Sequence, residues 1–167
     1  GLVKDLTSTE VQVDDITAVV LNPNTKILIS ADGQDGSQDF VDTTDKHTIT
    51  AVGDAQIDTA QKIIGTSSAL FDSQGDYLTI PDSDDWNFGN GDFTIDFWVR
   101  TSTPGTRQYF FEQGGSINPA LSFRIDPDNK LYFLSQTDAG VTNAYYITES
   151  VVSILDGGWH HIEIIRT

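Results

Sequence analysis

Five aspartates, Asp32, Asp35, Asp39, Asp42 and Asp45, crowd into the segment SADGQDGSQDFVDTTDKH, which has little apolar content and two glycines. Carboxylate oxygens at this density suit a hard cation, which takes six to eight oxygens from side chains and backbone carbonyls. The spacing does not fit the Asp-x-Asp-x-Asp-Gly pattern of an EF-hand. Asp32, Asp35, Asp39 and Asp42 are therefore read as possible ligands to Ca2+, against the alternative of solvated turn aspartates; Asp82, Asp84 and Asp85 form a second, weaker acidic group. Zinc has no comparable donor set, because the chain has no Cys and the adjacent His160 and His161 fall on a strand, where neighbours point to opposite faces.

Catalytic constellations are sparse. No nucleophile elbow or phosphate loop occurs, and no serine has a believable His and Asp arrangement. The aromatic side chains offer a different chemistry. Trp98 and Tyr109 are read as stacking platforms for a sugar, whose apolar C–H face packs on a ring while Asp and Asn side chains bond its hydroxyls. Trp98 stands out because it lies opposite Phe97 in its strand, on a face that can be solvent or groove.

These side chains need elements to hold them. In DFTIDFWVR, Phe93, Ile95, Phe97 and Val99 alternate with Thr94, Asp96 and Trp98, a period of two that fits a half-buried strand. Leu121, Phe123 and Ile125 repeat it, Asp126-Pro127-Asp128-Asn129 makes a turn, and Leu131 to Leu134 returns, so a hairpin is predicted. Further strands are predicted at Thr48 to Val52, Ser68 to Asp72, Tyr77 to Ile80, Tyr145 to Ile147 and Trp159 to Ile165. The predicted core contains Phe93, Ile95, Phe97, Val99, Leu121, Phe123, Ile125 and Ile162.

Composition agrees. Of the acidic residues 21 are Asp and only 4 are Glu, and Asp favours turns over helices. The formal net charge of -16 over 167 residues repels phosphate backbones and anionic headgroups. Neither nucleic-acid binding nor membrane insertion is expected, and no run of about 20 apolar residues is present. Residues 1–29 read as an N-terminal extended or docking segment, with Ile16 to Leu21 and Ile27 to Ile29 flanking Asn22-Pro23-Asn24, and residues 30–167 as the folded domain.

The blocks Ser68-Ala69-Leu70-Phe71-Asp72, Gly75-Asp76-Tyr77-Leu78-Thr79-Ile80-Pro81, Phe88-Gly89-Asn90-Gly91-Asp92-Phe93-Thr94-Ile95-Asp96-Phe97-Trp98-Val99 and Leu155-Asp156-Gly157-Gly158-Trp159-His160-His161-Ile162 occur in this order. Together they resemble the laminin-G-like domains of the concanavalin A-like lectin/glucanase superfamily. Asp32-Gly33, Asp35-Gly36-Ser37 and Phe40-Val41-Asp42 resemble the opening of bacterial and phage members. The resemblance implies an all-β, two-sheet antiparallel jelly-roll sandwich, and it raises the expectation of calcium near a sheet rim. It also implies strands beyond Trp159 to Arg166, so residues 1–167 alone are expected not to make a self-sufficient monomer. The missing strands are expected from a longer product or from a neighbouring subunit.

Related endoglucanases carry Glu-x-Asp-x-x-Glu on one strand, and none of Glu10, Glu112, Glu149 and Glu163 has that spacing. The expected function is thus a non-catalytic recognition module for a glycan or other surface ligand, on an extracellular or virion structure. The alternative is a structural or assembly domain that contacts copies of itself or neighbouring subunits, and a glycoside hydrolase comes third.

Overall fold

A computed structural model describes residues 21–89, 91–115, 118–136, 142–147 and 154–167. Among these the fold is all-β. Ten strands, β1 (Thr50–Val52), β2 (Gln56–Asp58), β3 (Ser68–Leu70), β4 (Tyr77–Thr79), β5 (Phe93–Arg100), β6 (Gln108–Gly115), β7 (Asn118–Ile125), β8 (Leu131–Gln136), β9 (Thr142–Ile147) and β10 (Trp159–Arg166), pair antiparallel. A 3₁₀ turn at Asp84–Trp86 is capped by the Ser83 side chain.

The strands form a four-stranded sheet in the order β6-β7-β8-β9 and three pairs, β5 with β10, β1 with β4 and β2 with β3. The turn at residues 126–129 closes β7 onto β8 as its residues dictate: Asn129 donates its N–H to the Asp126 carbonyl at 2.8 Å and takes a left-handed φ of 63° that asparagine tolerates well. Two strands escaped the sequence reading. β2 is only three residues long, and QYFFEQGG in β6 lacks a clean alternation because a bulge between Tyr109 and Phe111 interrupts it.

The β5–β10 pair packs face to face on the four-stranded sheet. Phe97 lies 5.3 Å from Phe110 and 6.1 Å from Phe123, ring centre to ring centre, and Phe110 and Phe123 are themselves 5.3 Å apart. This aromatic triangle joins the two layers. Leu121, Phe123 and Ile125 are buried as predicted, whereas Phe93, Ile95, Phe97, Val99 and Ile162 face the same interior but are only partly covered. Two strands set against four leave part of that interior open. The opening is a groove of ≈ 540 Å³ whose apolar wall includes Phe93, Leu121, Phe123, Phe133, Ile162 and Ile164.

A second small core sits apart, made of Phe40, Ala55 and Ile57. Residues 21–29, the described part of the predicted N-terminal segment, are stitched to the acidic loop: Ile29 bridges Asp42, Thr43 N–H donates to the Leu28 carbonyl at 2.8 Å, and Lys46 Nζ reaches the Thr25 carbonyl at 2.5 Å. The apolar run Ile16 to Val20 lies outside the described residues.

Candidate functional site

Strand β5 divides cleanly by exposure. Phe93, Ile95, Phe97 and Val99 point inward, and Thr94, Asp96, Trp98 and Arg100 point out. Its partner β10 contributes His161, Glu163 and Ile165 to the same outer face. The register is antiparallel throughout, so Trp98 is opposite His161, Asp96 opposite Glu163, and Thr94 opposite Ile165.

The ring of His161 lies 5.1 Å from the indole of Trp98 at an interplanar angle of 30°. Its Nε2 sits 3.4 Å from Asp96 Oδ1, diagonally across the ladder. Trp98 remains 40% exposed. The result is an indole held in place by a neighbouring imidazole, with carboxylates at one side and the Arg100 guanidinium beyond it on the other. Stacking on the open ring and hydrogen bonding to Asp96, Glu163 and His161 are the chemistry this face offers. His160 behaves as the strand alternation demands and turns away, bonding Asp156 Oδ1 through Nε2 at 2.9 Å.

Tyr109 is placed elsewhere. It is half exposed on β6, where Arg124 of β7 is its ladder partner and holds its guanidinium carbon 5.6 Å from the Tyr109 ring and 5.9 Å from that of Tyr132. Arg124 follows inward-facing Phe123, so these rings occupy the outer face of the four-stranded sheet. Trp98 and Tyr109 therefore look away from the shared core in opposite directions and do not form one platform. Asp126 orients this second face: its carboxylate accepts from Arg124 Nε at 2.9 Å and from Arg107 Nε at 2.5 Å. Its partial burial works against ionisation, yet the hydrogen bonds from Arg124 and Arg107 hold it below the usual carboxylate range.

The acidic loop does not bring its carboxylates together. Asp32 accepts from the Thr66 N–H at 2.6 Å and hydroxyl at 2.9 Å, and Asp35 from the Thr59 N–H at 2.9 Å and hydroxyl at 3.0 Å. Both are held below the ordinary range, chiefly by the backbone N–H in each case. Asp42 is buried, at 4% exposure. It accepts from the N–H groups of Leu28, Thr44, Lys46 and His47 at 2.9 to 3.1 Å and from the Thr44 hydroxyl at 2.6 Å. Desolvation opposes its charge, but the donors outweigh it and its acidity is strongly increased. Asp39 is exposed, and its own N–H donates to the Ser37 hydroxyl at 3.1 Å. Asp32, Asp35 and Asp42 thus each organise a different stretch of backbone.

Among the described residues, the acidic side chains that do converge are Asp54, Asp72 and Asp76, each with an oxygen within 4.8 Å of the others. Asp76 accepts from the N–H groups of Asp54 at 2.9 Å and Asp72 at 2.8 Å. The carboxyl of Asp54 is raised, first by its hydrogen bond to Asp76 and then by the charges of Asp72 and Asp76, while Asp76 is lowered chiefly by the Asp72 N–H. This all-oxygen set is of the type that suits a hard cation. Gly53 closes the turn beside it at φ 75°, where a Cβ would collide with Asp76 Oδ1. Nothing in the linear spacing announces this group, because β1 and β4 must pair before Asp54 meets Asp76.

A laminin-G-type family model described as the concanavalin A-like lectin/glucanases superfamily matches residues 72–166, from just before β4 to the end of β10. The chain belongs to the concanavalin A-like lectin/glucanases superfamily. The matched span holds both facing sheets and every residue of the Trp98 and Tyr109 faces, and it leaves the acidic loop outside. Such a lectin-type domain is a recognition fold. No curated protein sequence matches the chain.

Proposed function

We propose that this superfamily member is a non-catalytic recognition module that binds a glycan through the outer face of β5 and β10, on an extracellular or virion-surface structure. The observation that carries the reading is the exposed Trp98 indole, backed by His161 in the next strand and flanked by Asp96 and Glu163. Rings supply the apolar half of sugar recognition, and carboxylates and imidazole supply acceptors for hydroxyls. A single open face of this size gives weak binding, near the millimolar range that multivalent display converts to useful avidity.

Asp96 and Glu163 are paired carboxylates, and a retaining glycosidase also uses two at about 5 Å. The Asp96 side chain is 60% exposed, however, and electrostatic catalysis depends on excluding water from the reacting centre. Binding rather than turnover fits such an open surface. Incubating oligosaccharides with the protein and resolving products by mass spectrometry tests this half of the reading; intact substrates are expected, and enzyme-dependent cleavage would reject it.

Two features favour a second reading, an assembly domain. The apolar groove between the sheets and the outer edges of β5 and β10, which pair only with each other among the described strands, are features a neighbouring chain can cover. Light scattering on residues 1–167 reports on it directly: a mass above that of one chain supports assembly, and a monomer at all concentrations rejects it.

A further inference from the structure

The charges around Trp98 are arranged unevenly, and the arrangement selects among sugars. Asp96 and Glu163 are directly opposite in the β5–β10 ladder, where side chains stand about 5 Å apart and like charges repel. His161 faces only one of them, at 3.4 Å from Asp96, and Glu163 has no hydrogen-bond or ion-pair partner among the described residues. Among the described residues of β5 and β10, the one full positive charge on this face is Arg100, on the other side of Trp98 and opposite Trp159. The end of the face at Asp96 and Glu163 is therefore a short, solvent-open negative site set against an exposed ring. A net charge of -16 on the whole chain adds long-range attraction for cations and repulsion for anions.

We infer that the Trp98 face takes an amino sugar in its protonated form, with the ring stacked on the indole and the ammonium group between Asp96 and Glu163. This rests on the glycan-binding reading above and narrows it. An ammonium relieves the repulsion between the two carboxylates and replaces water at both, whereas an N-acetyl group leaves that repulsion in place and a uronate adds a third like charge. The indole also favours a cation over its face.

The test uses calorimetry or surface plasmon resonance with the whole chain and three probes of equal length: a glucosamine oligomer, an N-acetylglucosamine oligomer and a galacturonic acid oligomer. The glucosamine oligomer is expected to bind about threefold to tenfold more tightly than the acetylated one, as two exposed ion pairs allow. That preference is expected to shrink as salt rises and in Glu163→Gln, and to disappear in Glu163→Gln together with Asp96→Asn. Equal affinity for the two, tighter binding of the uronate, or a preference that survives Glu163→Gln together with Asp96→Asn overturns the inference while leaving glycan binding in place. Binding that Trp98→Ala does not change, for every probe, removes the glycan-binding reading itself.

Discussion

Trp98 and His161 are cross-strand partners whose rings lie 5.1 Å apart on the exposed face of the β5–β10 pair. Each is therefore held by its own strand and by the other's ring, so the indole is already oriented before a ligand arrives. Preorganisation of this kind lowers the cost of ordering a side chain on binding. Replacing His161 with Ala is expected to weaken glycan binding about twofold to fivefold while leaving Trp98 in the site. Titration of the variant against the wild-type protein checks it, and an unchanged affinity would show that the imidazole has no positioning role.

Phe123 is 1% exposed and meets Phe97 across the layers and Phe110 within its own sheet. Phe123→Ala is expected to cost about 3 to 5 kcal/mol, a large part of the stability of a typical domain. Trp98→Ala, on the outer face, is expected to cost less than about 1 kcal/mol. Urea unfolding of the two variants side by side measures the contrast; similar losses would mean that the outer face is covered.

Asp42 links residues 28 to 47 through four backbone N–H groups and a hydroxyl. Its folded acidity is increased, so it contributes stability that is present above the unfolded aspartate value near pH 4 and is lost as pH falls below it. Asp42→Ala strands those donors and is expected to cost about 2 to 4 kcal/mol at pH 7, and to flatten the stability profile between about pH 4 and 2. Thermal unfolding across that range decides the matter, and a variant with an unaltered profile would contradict the assignment.

Asp54 has the opposite sign. Its folded carboxyl holds a proton more tightly than an unfolded aspartate does, so its contribution is favourable at low pH and is lost as pH rises through its raised folded value. At pH 7 and in EDTA, Asp54→Asn keeps a donor beside Asp76 and removes one charge from the Asp54, Asp72 and Asp76 group. The variant is expected to melt higher than wild type at pH 7 and no higher at pH 3. Calorimetry at the two pH values reads this, and destabilisation at pH 7 would show that the repulsion is not felt.

How far the sequence reached can be judged from particular residues. The alternation of Phe93 to Val99 was legible because a half-buried strand repeats every two residues, and it placed Trp98 on the outer face correctly. The turn at Asp126 to Asn129 was legible from its residue types. What strands do to one another was not. That His161 backs Trp98, that Glu163 meets Asp96, and that Arg124 sits between Tyr109 and Tyr132 all depend on ladder register. Register is a tertiary outcome set by which faces are buried, and residue spacing along one strand does not contain it. The acidic loop shows the same limit: Asp32 and Asp35 are close in sequence but accept from Thr66 and Thr59 respectively, residues that come from later in the chain.

The central claim is that Trp98 carries ligand recognition. The most direct measurement is a glycan panel of neutral, amino and acidic oligosaccharides, read in parallel with the wild-type chain and with Trp98→Ala, after circular dichroism has shown that both fold alike. The account predicts wild-type binding to members of the panel, weakened at least about tenfold by the substitution, in line with an aromatic contact of about 1 to 3 kcal/mol. Wild-type binding that the variant retains in full, or no binding by the wild-type chain even in multivalent display, would contradict it.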